Sequence, residues 1–306
     1  MTRLTYLVIA ITAFIFRASA GEPTAAKMLL DEHPELHDLI NKSDRFSTLK
    51  SKLRKTVVDG QTFYIAEGDL LLDEDQLGVY AAQKDALEEV RISGLGLSEM
   101  VSAQLVGITA PDGRTVRWEA NKVLTYCVLR KTFSSAESYQ LVVANMQKAT
   151  SDWQKTCAIK FQYLRQFDNS NSVRPTGVLF PVRQIDAQGD YIAAAFFPND
   201  PTDRRKLLVD PSYFAPNMGF DLVGVLRHEL GHVLGFRHEH IRSGAPAVCP
   251  RESLNDTIDL TKYDPKSVMH YFCGGVGSRE LAITEIDREG SQRIYGAPPN
   301  DTHLVK

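Results

Sequence analysis

The chain has 306 residues, of which 43% are hydrophobic and 24% charged, a globular balance. A formal net charge of −3 gives no basic footprint for nucleic acid, and no collagen-like, heptad or solenoid repeat runs through it. The length allows one large or two modest domains.

Residues 1–20 read as a secretory signal: Arg3 supplies the positive start, residues 6–16 form an apolar run broken only by Thr12, and Ala18-Ser19-Ala20 is an A-x-A cleavage pattern ahead of Gly21. The run is shorter than the roughly 20 apolar residues that span a bilayer. The expectation is a secreted, extracellular protein with no membrane span after cleavage.

Residues 21 to about 60 are polar and helix-prone, with an amphipathic patch at 35–40. A strand-like run over 62–73 is interrupted by a turn at Gly68-Asp69. Residues 75–90 look helical, with Asp73 as the cap. Small and turn-forming residues over 93–113, ending in Pro111-Asp112-Gly113, mark a linker and a domain boundary.

Beyond it, 123–129 reads as a strand. Ser134 with Glu137 three residues later suggests a capping box, opening a helix to about Lys155 with Leu141, Val142, Met146, Ala149 and Trp153 on one face. Strands are expected at 159–164, 177–182 and 191–197. Asp221 should cap a helix carrying Leu222, Val225, Leu226, His228 and His232. A loop-rich stretch follows Gly235, and a helix capped at Thr284-Glu285-Ile286-Asp287 ends near Tyr295 and Gly296. Strands and a long helix, then loops and a late helix, argue an α+β fold with a cleft between two lobes.

Cys127, Cys157, Cys249 and Cys273 are an even set in an exported chain, so two disulfides are expected, and four cysteines allow three pairings. Position along the chain favours Cys127–Cys157 and Cys249–Cys273. Asn41, Asn255 and Asn300 each begin an N-x-S/T sequon.

The most specific stretch is His228-Glu229-Leu230-Gly231-His232-Val233-Leu234-Gly235-Phe236-Arg237-His238, an H-E-x-x-H-x-x-G-x-x-H pattern. His228 and His232, four apart on a helix, share one face and can bind one Zn²⁺. Glu229 beside them is placed to take a proton from water activated at the metal. Gly235 can turn the chain out of the helix and bring His238 round as a third ligand. Three protein ligands leave one position open, which marks a catalytic rather than a structural site.

The run H-E-L-G-H-V-L-G-F-R-H-E over 228–239 resembles the zinc signature of the astacin family of metzincin endopeptidases. Phe236 after the glycine and Glu239 after the third histidine carry the likeness, with Ser267-Val268-Met269-His270-Tyr271 similar to the family's Met-turn. The segment 153–161, with Thr156-Cys157, resembles the N-terminal lobe, and the resemblance covers roughly 117–296. It implies a metzincin-type two-lobed domain with a twisted sheet and one zinc ion on His228, His232 and His238. Glu229 would be the general base that later passes its proton to the leaving amine. Tyr271 would be a swinging fifth ligand, Met269 a hydrophobic floor, and Glu239 a partner for the new N-terminal ammonium. His240 and His270 are assigned no ligand role.

Ala66-Glu67-Gly68-Asp69 resembles the F-x-G-D element of astacin propeptides, with alanine in place of phenylalanine. Asp69 would then bind the metal and block water, a zymogen switch, with Arg114 and Arg117 as cut sites. The implied organisation is signal peptide 1–20, pro-segment 21–114, catalytic domain 115–298 and tail 299–306. Peptide or protein substrates and an activating protease are the implied partners. The run over 191–197 would be the edge strand that pairs with substrate, and Arg279 is one candidate near the cleft. No cysteine follows Cys273 to complete the family's usual disulfide, and the family pattern fades after Glu239, which points to a divergent, microbial branch. A non-catalytic zinc-binding interaction or inhibitory module is the alternative, and retention of Glu229 argues against it.

Overall fold

The computed structural model describes residues 34–82, 106–108, 115–241 and 257–299, together with Lys27, Leu30, Asp31 and Ala245. The expected signal sequence, Arg114, Cys249, Asn255 and the tail beyond residue 299 lie outside the described residues.

The architecture is mixed α+β, as the element pattern predicts. The described residues of the first part include two short helices, α1 (Pro34–Asn41) and α2 (Asp44–Lys52), a further helical stretch over 74–82, and an antiparallel sheet of β1 (Lys55–Val58), β2 (Gln61–Ala66) and β3 (Leu70–Leu72) in that order. The β1–β2 turn is Asp59-Gly60, both with positive φ (54° and 78°), the backbone that matches hairpin twist. A helix over 74–82 is capped reciprocally. The Gln76 amide donates to Asp73 Oδ1 at 2.7 Å, and Gln76 Oε1 accepts from the Asp73 amide at 3.1 Å. This part has its own small core around Leu36, Phe46, Tyr64 and Leu77.

Part of the expected linker is a strand. β4 (Val106–Ile108) pairs antiparallel with β10 (Thr257–Asp259), far along the chain. A run of small residues carries little periodicity, so only its distant partner reveals it.

The second part is built on a five-stranded sheet of order β6-β5-β7-β9-β8, with β5 (Val123–Val128), β6 (Lys160–Tyr163), β7 (Phe180–Gln184), β8 (Ala193–Ala194) and β9 (Leu207–Val209). All pairings are parallel except β8 with β9. β8 is much shorter than the strand expected over 191–197, and β9 has no counterpart in the sequence expectations. Helix α3 (Ala136–Thr156) buries Val142, Met146, Ala149 and Trp153, while Leu141, expected on that face, is 38% exposed. Its cap is Ser135, which accepts from the Ser138 amide, rather than a Ser134–Glu137 box. Helix α4 (Leu222–Val233) is capped by Asp221, which accepts from the Gly224 amide at 2.7 Å. Helix α5 (Glu285–Tyr295) carries the expected box between Thr284 and Asp287. Helices α3 and α4 share one core with the inner face of the sheet, and the Trp153 ring stacks on Phe236 with centroids 5.7 Å apart. Arg117, an expected cut site, donates to the Ile294 carbonyl at 2.9 Å.

The Cys127–Cys157 pairing is corrected: both are free, buried thiols. Burial and then the nearby Asp168 push the Cys127 thiol up to about 12. Burial pushes Cys157 up to about 12 beside Ser291 and Arg288, in a different part of the core. The two sulfurs are thus unbonded, each buried among its own neighbours.

Candidate metal centre

Helix α4 carries His228 and His232 one turn apart, with ring centroids 4.9 Å apart. Gly235 (φ +92°) then ends the helix, its amide donating to the His232 carbonyl at 2.8 Å while the Phe236 amide reaches the Gly231 carbonyl. An ideal Cβ on Gly235 would also lie 2.7 Å from the Val116 carbonyl oxygen, so glycine is needed for space as well as for φ. This turn brings His238 beside the helix, 4.8 Å between ring centroids from His232.

The histidines are oriented by backbone carbonyls. His228 Nδ1 donates to the Val268 carbonyl at 2.8 Å, and His232 Nδ1 to the Phe236 carbonyl at 2.7 Å. Each Nε2 is thereby left as the lone-pair nitrogen. Burial pushes His232 down to about 4, so its ring is neutral at ordinary pH, as a ligand must be.

Asp69, from the turn between β2 and β3, enters the same point. Its Oδ2 lies 3.3 Å from His238 Nε2, 3.4 Å from His228 Nε2 and 3.8 Å from His232 Nε2. The four ligand atoms lie within 4.8 Å of one another. A tetrahedron with ligands about 2.05 Å from its centre has edges of about 3.3 Å, close to the 3.3 to 3.8 Å between the Asp69 carboxylate and the three imidazoles, while the set as a whole spans up to 4.8 Å. The Nε2 atoms of His228 and His232 are buried and have no hydrogen-bond partner, a costly state that a metal would relieve.

Glu229 adjoins the cluster and is 2% exposed, with Oε2 unpartnered. Burial, and then the charge on Asp69, push its carboxyl well above the usual range. A cavity of about 270 Å³ opens beside it, with Ile192, Ala193, Phe220, Val225 and Leu281 as apolar walls and Asp69 at one side. Arg279 is not a wall residue; its guanidinium stacks over Phe220, 5.6 Å from the ring centroid.

Tyr271 lies against the histidine cluster, its ring centroid 4.2 Å from that of His238, while its hydroxyl donates to the Glu67 carbonyl at 2.5 Å. Gly68 (φ +96°) permits that approach, since an ideal Cβ there would sit 2.8 Å from the hydroxyl. Met269 packs under α4: an ideal Cβ on Gly231 would fall 2.2 Å from its sulfur. Glu239 is buried, and its Oε1 accepts from the Asp264 amide at 2.9 Å. His240 stacks on Tyr271, and His270 bonds the Tyr271 carbonyl and the Tyr263 hydroxyl, so neither joins the ligand cluster.

Two contributors escape sequence reasoning. Buried Asp287 accepts from Ser267 Oγ at 2.5 Å and from the Val268 amide at 2.9 Å, and so holds the loop whose Val268 carbonyl orients His228. Its capping motif is visible in the sequence, but this second use is not. Both oxygens of the Glu67 carboxylate accept from Arg237 Nη2, at 2.9 and 2.7 Å, and Oε1 also accepts from the Tyr80 hydroxyl at 3.1 Å, which anchors the Asp69 turn beside His238.

A model of the matrixin family of peptidases matches residues 117–249. No curated protein matches the chain. Among solved structures, 121 chains match. One is high choriolytic enzyme 1, a hatching enzyme zinc-protease from the medaka fish Oryzias latipes, 19% identical, covering 60% of this chain and 95% of that chain with a TM-score of 0.35. The matrixin match and the three-histidine cluster support a metzincin-type, zinc-dependent peptidase.

Proposed function

We propose that the chain is a secreted zinc endopeptidase of astacin type, made as a latent precursor that Asp69 holds silent. The observation that supports this reading is the Asp69 carboxylate, within 3.3 to 3.8 Å of all three histidine nitrogens. His228, His232 and His238 would hold one Zn²⁺, which supplies Lewis-acid polarisation of the substrate carbonyl and acidifies water.

The remaining steps belong to this chain's own side chains. Glu229 takes the proton of the attacking water and delivers it to the leaving amine nitrogen. The substrate backbone lies along the edge near β8, with one side chain in the cavity walled by Phe220, Val225 and Leu281. Tyr271, released from the Glu67 carbonyl once the pro-segment leaves, turns its hydroxyl toward the oxygen that gains charge at the scissile carbon. Cleavage near Arg114 or Arg117 would free a new N-terminus, and the buried Glu239 carboxylate would receive its ammonium. A Cys249–Cys273 disulfide would close the loop between them.

The test compares full-length and activated protein, wild type and Glu229→Ala, for zinc content and peptide cleavage. Stoichiometric zinc in both, with cleavage only by the activated wild type, is expected. Cleavage surviving in Glu229→Ala would overturn the mechanism, and bound zinc with no cleavage would favour an interaction module.

A further inference from the structure

The pro-segment does more than fill the metal site. The β1–β2 hairpin lies on the outer face of the five-stranded sheet, where Val58, Phe63 and Ile65 pack on Ala187, Tyr191, Ala194 and Leu208. Alternation along β9 explains the two faces: Leu207 and Val209 enter the main core, while Leu208 faces the hairpin. Around this apolar contact the charges are sorted by part. Arg183 forks onto Asp59 at 2.8 and 2.5 Å, and Lys206 joins the same carboxylate at 3.0 Å. Arg204 pairs with Asp73, and Arg237 with Glu67. The Phe63 ring lies under both Arg204 and Lys206, 4.7 and 5.9 Å from its centroid. The four cations of the catalytic part are only 5 to 13% exposed. Arg54 with Asp190 is the one pair in the opposite sense among these contacts.

Departure of residues 55–73 would uncover an apolar patch and strip four cations of their carboxylates. Cations set in such a surface are poorly solvated and favour replacement anions. The patch is continuous with the cleft, because Tyr191 belongs both to it and to the cavity wall, and Arg237 adjoins the ligand His238. From the turn that carries Asp69, the strip follows β2 for on the order of 20 Å.

We infer that this uncovered sheet face is a docking surface for acidic, aromatic-bearing extended segments of protein substrates, away from the bond that is cut. The inference rests on the peptidase reading above and adds a substrate class to it. The cleaved pro-segment is the chemical template for such a ligand: a strand that carries a phenylalanine, β2 with Phe63, flanked by carboxylates in the turns at its two ends, Asp59 and Glu67.

The test uses activated protein prepared by cleaving the full chain. Three kinds of peptide share one scissile core: the core alone, the core with an Asp- and Phe-containing extension, and the core with Lys replacing each Asp, the extensions being placed at either end in separate peptides. At low salt the acidic extension at one end should raise kcat/KM about tenfold or more over its Lys counterpart, through KM, with the ratio falling toward parity near about 0.5 M salt. Arg183→Gln with Lys206→Gln should bring the ratio close to one and leave the core peptide unaffected. Equal rates for acidic and Lys extensions in wild type, with the core peptide cleaved, would overturn the docking surface alone. Failure to cleave the core peptide would overturn the peptidase reading and the surface with it. If the double variant does not fold, the salt dependence in wild type decides.

Discussion

Asp69 Oδ2 stands 3.3 Å from His238 Nε2, although 169 residues separate the two in the chain. The same oxygen faces His228 and His232, so one carboxylate occupies the point on which three imidazoles converge. Removing it should open the site without cleavage. Asp69→Ala precursor is expected to hydrolyse a fluorogenic peptide at least about tenfold faster than wild-type precursor, the factor that about 1.4 kcal/mol of lost occlusion yields. Asp69→Asn, which keeps the shape and loses the charge, should fall between them. Precursor as silent as wild type in both variants would end the switch hypothesis.

Helix α4 passes close to Met269 at Gly231. A methyl group there would fall 2.2 Å from the buried sulfur, and overpacking of this kind costs roughly 1–3 kcal/mol. Gly231→Ala should lower Tm by about 2–4 °C per kcal/mol and weaken zinc retention against a chelator. Adding Met269→Ala should recover part of the loss, so the two changes are non-additive. Strict additivity in thermal melts would show that Met269 is not the floor of the helix.

Asp287 holds Ser267 and Val268, and through the Val268 carbonyl it orients His228. Asp287→Ala leaves these donors without their acceptor, at a cost of about 1–3 kcal/mol, and should lower zinc affinity about tenfold. Burial, partly offset by its hydrogen bonds, raises the Asp287 carboxyl to about 6. The folded protein therefore holds this proton more tightly than the unfolded chain, and Asp287 contributes a loss of stability as pH rises from about 4 to 6. Asp287→Asn should remove that slope from denaturant midpoints measured across the range; an unchanged slope would assign it elsewhere.

The hairpin anchor should respond to acid in the opposite sense. Burial pushes the Asp59 carboxyl up, but the bonds from Arg183 and Lys206 outweigh it and hold it at about 2. Its contribution is present above the unfolded value near 3.8 and is lost as pH falls toward 2. Hydrogen exchange in β1 and β2 should accelerate over that interval, and Asp59→Asn should show the faster exchange already at neutral pH. A hairpin equally protected in the variant would mean that apolar packing alone holds it.

Cys127 and Cys157 are buried free thiols pushed up to about 12, so thiolate chemistry is suppressed in the native state. Alkylation of denatured, unreduced protein should label these two and leave the proposed Cys249–Cys273 pair unlabelled, as read by peptide mass. Labelling at Cys249 or Cys273 would remove that disulfide from the proposal.

Helix α4, its Asp221 cap, the His228–His238 pattern and the Thr284–Asp287 box were legible along the chain because each depends on neighbours within a turn or two. Caps and i, i+4 spacing are local consequences of hydrogen-bond geometry. The Gly68-Asp69 turn was legible as a turn, and its link to the metal came from likeness to a known pattern. β9 and β4 were not legible: three-residue strands have too little periodicity, and their stability comes from partners far along the chain. The cysteine count was equally visible, yet pairing depends on distances between Cβ atoms, and Cys127 and Cys157 ended as separate thiols.

Three imidazoles that could hold a metal, with a carboxylate beside them to act as base, could thus be read from one short run of residues, His228–His238; the carboxylate of Asp69, which joins the histidine cluster, lies far outside it. Tertiary structure decided what holds and what covers them. The carbonyls of Val268 and Phe236 orient the rings, Asp287 steadies the loop, and Glu67 with Arg237 pins Asp69 in place. Carbonyl groups occur at every residue and ion pairs form across any sequence distance, so their selection waits until packing brings α4, the 267–271 loop and the β2–β3 turn to one point.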